Sequence, residues 1–268
     1  MSGIRSHTLT TPDGERLSAM HRPGAGRDLG LVVVHGFTGN WRQERVRSVI
    51  EGLAPFGGVV ALDMRGHGAS TGATTMGDDE VIDVATAVTW ARELGYASVV
   101  TVGFSLGGAV ALREGALEQD GDGRVDAVVS VSSPAFWFYR GTRIMRIAHW
   151  MVETSPGRMV MRARRTRISS RMWVEPYPVP PADAAGMLGS IPLLVVHGDA
   201  DHYFPLEHPR SIQRSAALAG SPVELWVEPG MGHAEAAITP ELLDRIGAWT
   251  RQACGLPPLV SGGEGVRE

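Results

Sequence analysis

The segment Gly103-Phe104-Ser105-Leu106-Gly107 limits the possible folds of this chain more than any other stretch. Residues 97–102 before it are mostly β-branched and predict a strand, whereas residues 108–114 after it predict the start of a helix. A strand that enters a helix through Gly-x-Ser-x-Gly turns sharply and lifts the serine hydroxyl above the edge of a sheet. The pattern alone is weak in a chain with 34 glycines, so the strand and the helix around it carry the prediction.

Strands and helices alternate along most of the sequence. The chain begins with a predicted hairpin of residues 7–10 and 15–20, closed by Asp13-Gly14. Strands separated by helices form a parallel sheet with helices on both faces, so we predict an α/β fold around a mostly parallel sheet of about eight strands. The other predicted strands are 30–34, 58–62, 97–102, 125–131, 192–196 and 223–227, and the predicted helices, besides the one after Ser105, are 43–53, 79–94, 206–219 and 240–253.

Residues 133–190 interrupt this alternation, because they are too long for an ordinary connection and contain no clear core strand. Aromatic and methionine residues are frequent in them. We predict that they form a helical cap, inserted after the sixth strand between two parts of one α/β core, 1–132 and 191–254. Residues 255–268 are predicted to be a disordered tail.

Arginine is concentrated in the same segment. The chain contains no lysine, and nine of its arginines fall between Arg140 and Arg171. Against three acidic residues they give residues 133–190 a net charge of +6, so the rest of the chain, from an overall −4, carries −10. Two interpretations stay open. The basic segment guides an anionic or lipid-like substrate or rests on an anionic membrane surface, or its arginines face solvent and pair with the acidic core.

The sequence lacks the signals of several other classes of protein. No apolar run is long enough to span a bilayer, and the polar residues 1–7 lack the apolar core of a signal peptide. The lone Cys254 excludes an internal disulfide, so a cytoplasmic location is expected. No glycine-rich stretch carries the Lys-Ser/Thr of a phosphate-binding loop, and the basic segment carries no nucleic-acid-binding motif. The oligomeric state is not indicated.

A serine hydroxyl becomes a strong nucleophile only when a base takes its proton and a third group orients that base. In open α/β sheets such groups lie on loops that follow the carboxyl ends of strands. His233 follows the last predicted strand, and Asp201 follows the seventh. The order serine, aspartate, histidine is the one expected with this type of serine turn. Asp199 remains an alternative to Asp201, because it lies on the same loop.

Other histidines fit this chemistry less well, since His67, His149, His197 and His202 do not follow the last strand. The run His197-Gly198-Asp199-Ala200-Asp201-His202 also has the composition of a metal site. No second His-x-His element accompanies it, so the pattern does not favour a catalytic metal. We predict neither a metal ion nor an organic cofactor.

At four stretches the chain resembles the α/β-hydrolase superfamily, and the resemblance extends from the first hairpin to the last helix. The chain is similar to the serine-esterase and monoacylglycerol-lipase-like branch, which has an inserted cap. Besides the turn around Ser105, the matching stretches are His35-Gly36-Phe37, Asp63-Met64-Arg65-Gly66-His67-Gly68-Ala69-Ser70, and Gly198-x-x-Asp201-x-x-x-Pro205 ahead of Gly232-His233.

The resemblance implies a role for each matching residue. Ser105 would be the nucleophile, His233 the general base and then the general acid, and Asp201 the carboxylate that orients the histidine. The backbone N–H groups of Phe37 and Leu106 would form the oxyanion hole. Each such donor stabilises the transition state by about 2.7–4 kcal/mol.

The predicted function is hydrolysis of a carboxylic ester through an acyl-enzyme intermediate. An acyl lipid is one candidate for this ester. Trp137, Met145 and Trp150 of the predicted cap are candidates to line an apolar substrate pocket. A thioesterase, an acyltransferase or a carbon–carbon bond hydrolase would use the same residues, because a fold and its catalytic residues do not define the substrate. A catalytically silent small-molecule receptor on the same fold is the alternative from a different class. The expected partner is a small-molecule ester or acyl substrate, not a nucleic acid.

Overall fold

The structure is a computed structural model and describes residues 3–259. It confirms the predicted α/β fold, and each predicted strand lies within two residues of its observed bounds. The strands are β1 (Arg5–Thr10), β2 (Arg16–Arg22), β3 (Leu29–Val34), β4 (Gly58–Leu62), β5 (Ser98–Phe104), β6 (Ala127–Val131), β7 (Leu193–Gly198) and β8 (Val223–Glu228). The α-helices are α1 (Glu44–Leu53), α2 (Glu80–Glu93), α3 (Leu106–Leu117), α4 (Arg143–Glu153), α5 (Ser155–Ala163), α6 (Pro181–Ala185), α7 (Glu207–Leu218) and α8 (Pro240–Ala253).

The strands form one sheet in the order β1-β2-β4-β3-β5-β6-β7-β8. β2 is antiparallel to β1 and to β4, whereas the strands from β4 to β8 pair in parallel. Parallel strands bring their carboxyl ends to one edge of a sheet. The loops after β3, β5, β7 and β8 therefore meet at that edge, although they are far apart in the sequence.

Hydrophobic side chains pack on both faces of the sheet. Along β3, Val32 and Val34 belong to a core with α2, α3, α6 and α7, whereas Leu31 and Val33 belong to a second core with α1 and α8. All residues of β3 are buried. Because both faces are covered, the strand has a continuous apolar sequence rather than an alternating one.

The inserted segment, residues 133–190, leaves the sheet after β6 and returns to it at β7. Its helices α4 and α5 pack against each other, and a threonine hydroxyl caps each of them. Thr142 accepts the backbone N–H of Met145, and Thr154 accepts that of Gly157. The third helix, α6, is buried against α3 and α7, so the end of the segment is part of the first core.

The chain after α5 is tied to the loop that follows β4. The backbone N–H of Arg167 donates to the carbonyl of Gly66 at 2.8 Å, and the N–H of Thr74 donates to the carbonyl of Arg167 at 2.8 Å. The guanidinium of Arg167 also donates to the carbonyl oxygens of Ser70 and Gly72. These bonds anchor the segment to the core at a point distant from β6 and β7 in the sequence.

The residues that follow α8 fold back onto the last turn of that helix. The N–H of Leu256 donates to the carbonyl of Arg251, and the Arg251 guanidinium donates to the carbonyl of Pro257 at 2.8 Å. Residues 260–268 of the predicted tail lie outside the described residues. Between residues 3 and 259, the structure has no helix with the length and apolar character needed to cross a bilayer.

Candidate active site

Ser105 lies at the turn between β5 and α3 with a left-handed backbone, since its φ is 51°. Residues other than glycine rarely adopt this backbone conformation, and it costs about 1–3 kcal/mol. The Ser105 N–H donates to the carbonyl of Val131 at 2.8 Å, which ties the turn to β6. A Cβ at Gly103 would collide with the carbonyl of Gly107, and a Cβ at Gly107 would collide with that of Val34. Both glycines are therefore needed for the close approach of strand and helix.

Ser105, His233 and Asp201 form a continuous series of hydrogen bonds. The Nε2 atom of His233 lies 2.9 Å from Ser105 Oγ, and its Nδ1 atom lies 2.7 Å from Asp201 Oδ2. The Asp201 carboxylate is fully buried, whereas the imidazole is 17% exposed. The structure thus brings together the three side chains that the sequence analysis selected, from loops after β5, β7 and β8.

The surroundings of Asp201 keep its side chain ionised. Burial by itself raises the pKa of this carboxyl, but hydrogen bonds and the charge of His233, together with the backbone N–H groups of Tyr203 and Phe204, lower the pKa below its ordinary value. An ionised carboxylate only accepts hydrogen bonds, so the proton on His233 Nδ1 points at Asp201. The Nε2 lone pair is then free to accept the proton of Ser105.

Asp199, the alternative acid, takes a different role. Its carboxylate accepts the backbone N–H of Gly230 at 2.6 Å, so it ties the loop after β7 to the turn after β8. The neighbouring His197 is buried and bonds through Nε2 to the carbonyl of Phe204 at 2.9 Å. In residues 3–259 no group of three or more His, Cys, Asp or Glu side chains is arranged to hold a metal ion.

Phe37 and Leu106 line the same cavity as Ser105. Phe37 follows β3, and Leu106 is the first residue of α3. Within the described part of the chain, neither backbone N–H donates a hydrogen bond to another protein group. A Cβ at Gly36 would lie 3.2 Å from Ser105 Cβ, so the loop after β3 passes close to the serine. Two unengaged donors beside a serine, one at a helix N-terminus, suit an oxyanion.

Neutral histidines support the loop after β3. His35 donates from Nδ1 to the carbonyl of Gly36 at 2.7 Å and accepts the N–H of Met64 at Nε2, at 3.1 Å. Burial lowers the pKa of His35 to about 4 and that of His67 to about 3, and the two rings lie 5.1 Å apart. His67 also contacts the ring of Phe37 edge-on. Both imidazoles remain uncharged at neutral pH and act as structural supports.

Two residues of the site have no motif that identifies them in the sequence. Glu235 is buried, and its Oε1 accepts the N–H of Gly36 at 2.7 Å. This bond joins the loop after β3 to the loop that carries His233, across 199 positions of sequence. The second residue is Tyr203, whose ring packs on the imidazole of His233. Their only sequence signal is proximity, since each lies two positions after a predicted site residue.

A cavity of about 510 Å³ contains Ser105 and His233 in its wall. Most of the other wall residues are apolar, and many of them come from the inserted segment. Trp137 and Met145, two of the residues predicted to line a substrate pocket, lie in this wall. Among the apolar wall residues that were not predicted are Met76, Val152, Met161 and Trp173.

The structure does not bring the third predicted pocket residue, Trp150, to this cavity. Its side chain is 50% exposed. The α4 residues in the cavity wall, which include Met145, Ala148, His149 and Val152, are centred on one face of the helix. Trp150 is two positions from Val152 and therefore points about 160° away, to the opposite side of the helix.

The arrangement is suited to nucleophilic attack on a carbonyl carbon. Ser105 can lose its proton to His233 while Asp201 stabilises the resulting imidazolium. Negative charge on the attacked oxygen can accept hydrogen bonds from Phe37 and Leu106. The mostly apolar wall lowers the local dielectric constant beside the serine, which strengthens these interactions.

Comparisons with known proteins agree with this architecture. A family model described as alpha/beta hydrolase fold matches residues 31–150. The comparison with curated proteins finds no match. The solved structure of the esterase Pf2001 from Pyrococcus furiosus is 24% identical, with a TM-score of 0.73 over 93% of this chain and 90% of that one.

Two further solved structures are similar over nearly their whole length. Est1E from Butyrivibrio proteoclasticus, described with bound ferulic acid, is 19% identical and has a TM-score of 0.66, over 93% of this chain and 99% of that one. XC6422 from Xanthomonas campestris, described as an α/β serine hydrolase without a lid, is 18% identical and has a TM-score of 0.61, over 97% and 98%. At such identities the similarity shows the fold. Together with the family model and the sheet order, it shows that this chain has the α/β-hydrolase fold.

Proposed function

We propose that this chain is a serine hydrolase that cleaves a carboxylic ester with an apolar acyl group through an acyl-enzyme intermediate. The observation that carries the proposal is the hydrogen-bonded series of Ser105, His233 and Asp201 in the wall of an apolar cavity. The α/β-hydrolase fold and the esterases among the similar structures support hydrolysis of an ester.

Acylation begins when Ser105 Oγ attacks the carbonyl carbon of the ester and passes its proton to His233 Nε2. The electron pair of the C=O bond moves to the carbonyl oxygen, which accepts hydrogen bonds from the N–H groups of Phe37 and Leu106. Asp201 holds the imidazolium through Nδ1–H. When the intermediate collapses, His233 returns the proton to the departing alcohol oxygen, and the acyl group stays on Ser105.

Deacylation repeats these steps with water as the nucleophile. His233 Nε2 takes a proton from water as the water oxygen attacks the acyl carbon. The bond to Ser105 Oγ then breaks, and the serine oxygen recovers the proton from His233. A carboxylic acid leaves, and the site returns to its starting state without a metal or an organic cofactor.

We further propose that the inserted segment acts as a cap and supplies the acyl-binding part of the cavity. Pockets for small molecules are mostly apolar and have volumes of roughly 300–1,000 Å³. Met145 on α4 contributes an unbranched side chain that adapts to a chain of methylenes. The indole N–H of Trp137 donates a hydrogen bond to the carbonyl of Pro178 at 3.0 Å, so the rest of its surface in the wall is apolar.

The experiment that tests the function is hydrolysis of p-nitrophenyl esters of increasing acyl length. We expect kcat/KM to rise from the acetyl ester to medium or longer acyl chains, because each buried methylene adds apolar contact. Ser105→Ala should abolish turnover at every length. Ser133→Ala is the matched control, since Ser133 is a buried serine close to α3 whose hydroxyl, among residues 3–259, donates to the carbonyl of Pro134.

A fluorophosphonate probe tests the nucleophile without any assumption about the substrate. The probe should add its phosphonyl group to the protein, and peptide mass analysis should locate it on Ser105. Ser105→Ala should remain unlabelled, and Ser133→Ala should be labelled. If neither the probe nor any ester reacts, the chain is a binding protein, and the proposed function is wrong. If Ser105 is labelled but only thioesters or carbon–carbon substrates turn over, the ester assignment is wrong.

A further inference from the structure

The outer side of α4 and α5 combines exposed apolar side chains with exposed arginines. On α4, Arg143, Arg146, Ile147 and Trp150 are exposed, and their spacing places them along one stripe of the helix. Ile147 is 49% exposed and Trp150 is 50% exposed. Large apolar side chains at this exposure, four of them on one helix pair, are uncommon on a surface that meets only water.

The adjoining helix α5 and the residues after it carry further exposed apolar and basic side chains. Met159 is 71% exposed and Val160 is 44% exposed. Arginines at three neighbouring positions are exposed as well. We call the whole set the basic-apolar face, and it consists of Arg143, Arg146, Ile147, Trp150, Met159, Val160, Arg162, Arg164 and Arg165.

The arginines of this face do not pair with the acidic core. Of the nine arginines in the inserted segment, Arg140 alone forms an ion pair in the described part of the chain, and its partner Glu153 belongs to the same segment. Arg146 donates to main-chain carbonyls. No hydrogen bond or ion pair within residues 3–259 uses the guanidinium groups of Arg143, Arg162, Arg164 and Arg165. Of the two interpretations of this basic segment, the pairing of its arginines with the core is therefore not realised.

We propose that the basic-apolar face docks on an anionic lipid surface. Arginines attract phosphate headgroups, with each basic residue near such a surface adding about 1 kcal/mol. The exposed Trp, Met, Ile and Val side chains lose water when they enter a lipid interface. A small anion in solution would bind the arginines without burying these side chains. Tryptophan is well suited to this depth, because its ring is apolar and its N–H can bond to the headgroup layer.

The charge distribution fixes the orientation of docking. The inserted segment carries +6, whereas the rest of the chain carries −10, so an anionic surface attracts the segment and repels the rest of the chain. Ile147 and Arg164 belong both to the basic-apolar face and to the wall of the cavity that holds Ser105. The cavity therefore borders the docked surface, where acyl chains are concentrated. Docking itself does not depend on the proposed function.

Vesicle sedimentation tests the proposal, with Ser105→Ala protein so that binding is measured without hydrolysis. The chain should sediment with vesicles of phosphatidylcholine and phosphatidylglycerol but not with vesicles of phosphatidylcholine alone. Added salt should release it, because salt screens exposed charges. In the same background, Arg143→Glu with Arg162→Glu should lower the partition coefficient by at least about tenfold.

The matched control is Arg210→Glu with Arg214→Glu on α7, which makes the same change in net charge outside the face. This control should change the partition coefficient less than the face variant by at least about fivefold. Trp150→Ala should weaken binding without changing charge. Equal binding to both kinds of vesicle, or equal loss in the face variant and the control, would overturn the proposal. A dimer that Trp150→Ala dissociates, in a protein that binds no vesicles, would assign the face to self-association instead.

Discussion

The ring of Tyr203 lies on the imidazole of His233, with ring centroids 4.0 Å apart and an angle of 21° between the planes. The backbone N–H of Tyr203 also donates to Asp201 at 2.7 Å. One residue therefore holds two members of the hydrogen-bonded series, the carboxylate through its main chain and the imidazole through its side chain. The two contributions can be separated by mutation, because a substitution removes only the ring.

We expect Tyr203→Ala to lower kcat for the preferred p-nitrophenyl ester by about tenfold, since an aromatic face favours a neighbouring cation by roughly 0.5–2 kcal/mol. The N–H bond to Asp201 remains in this variant. Tyr203→Phe keeps the ring and should behave like the unaltered protein. If Tyr203→Ala leaves kcat unchanged, the stacked ring has no part in the reaction.

Asp201 and Asp199 lie on one loop, but mutation of the two carboxylates should affect kcat differently. Asp201→Asn should lower kcat by about 10⁴-fold, because an amide cannot hold the Nδ1 proton of His233 and favours the wrong tautomer. Asp199→Asn removes only a charge from the turn at Gly230 and should leave kcat nearly unchanged. The kinetics of both variants, measured beside their thermal unfolding, check this assignment. A larger loss in Asp199→Asn would reverse it.

Glu235 should act as a positioning residue for the oxyanion donors. Its carboxylate accepts the N–H of Gly36, the residue before Phe37. Glu235→Leu leaves that N–H without an acceptor, and we expect kcat to fall by about 10–100-fold as the Phe37 donor loses its alignment. Glu235→Gln retains an acceptor and should restore most of the rate, whereas a general loss of fold would appear in thermal unfolding. Equal rates in the Leu and Gln variants would contradict this role.

The wall of the cavity should limit the length of the acyl chain that the site accepts. Met145→Trp places a larger side chain in the wall and should reduce kcat/KM for long acyl esters by at least about tenfold, while the acetyl ester is little affected. Trp150→Ala changes a residue outside the cavity and should leave the chain-length profile of soluble esters unchanged. A parallel loss for all esters in Met145→Trp would mean that the cavity does not hold the acyl group.

The buried His35 should make folding stability sensitive to acid. Burial lowers its pKa to about 4, below the value of 6.5 for an unfolded chain. Between these values the unfolded chain binds a proton that the folded chain does not, so stability is complete above pH 6.5 and falls as the pH decreases, by roughly 3 kcal/mol for this residue at pH 4. Urea unfolding of His35→Gln between pH 7 and 4.5 should show a shallower decline by about one bound proton. An unchanged slope would contradict this origin.

The strands, the helices and the positions of the site loops follow from local patterns in the sequence. A continuous apolar run predicts a strand covered on both faces, and a glycine, serine and glycine between strand and helix predict the turn at Ser105. The resemblance to α/β-hydrolases adds Phe37, Leu106, Asp201 and His233. These residues lie at the ends of regular elements, where spacing along the chain is enough to locate them.

Contacts between distant parts of the chain could not be predicted in this way. Glu235 reaches Gly36 across 199 positions, and no local pattern distinguishes it from other acidic residues. The same limitation applies to Trp150, because the outward side of α4 also carries large apolar side chains beside its arginines. Composition shows that the segment is rich in large side chains but not the rotation of the helix.

The class of fold, the strained serine turn and the loops that carry the acid and the base can be predicted from the sequence, because each depends on neighbours within a few residues. The packing of distant elements determines that Glu235 holds the loop after β3 and that, within residues 3–259, the arginines of α4 and α5 have no acidic partners. It also places Asp201, which the resemblance already favoured over Asp199, beside His233. These outcomes depend on the directions of side chains in the packed molecule, which spacing along the chain does not specify.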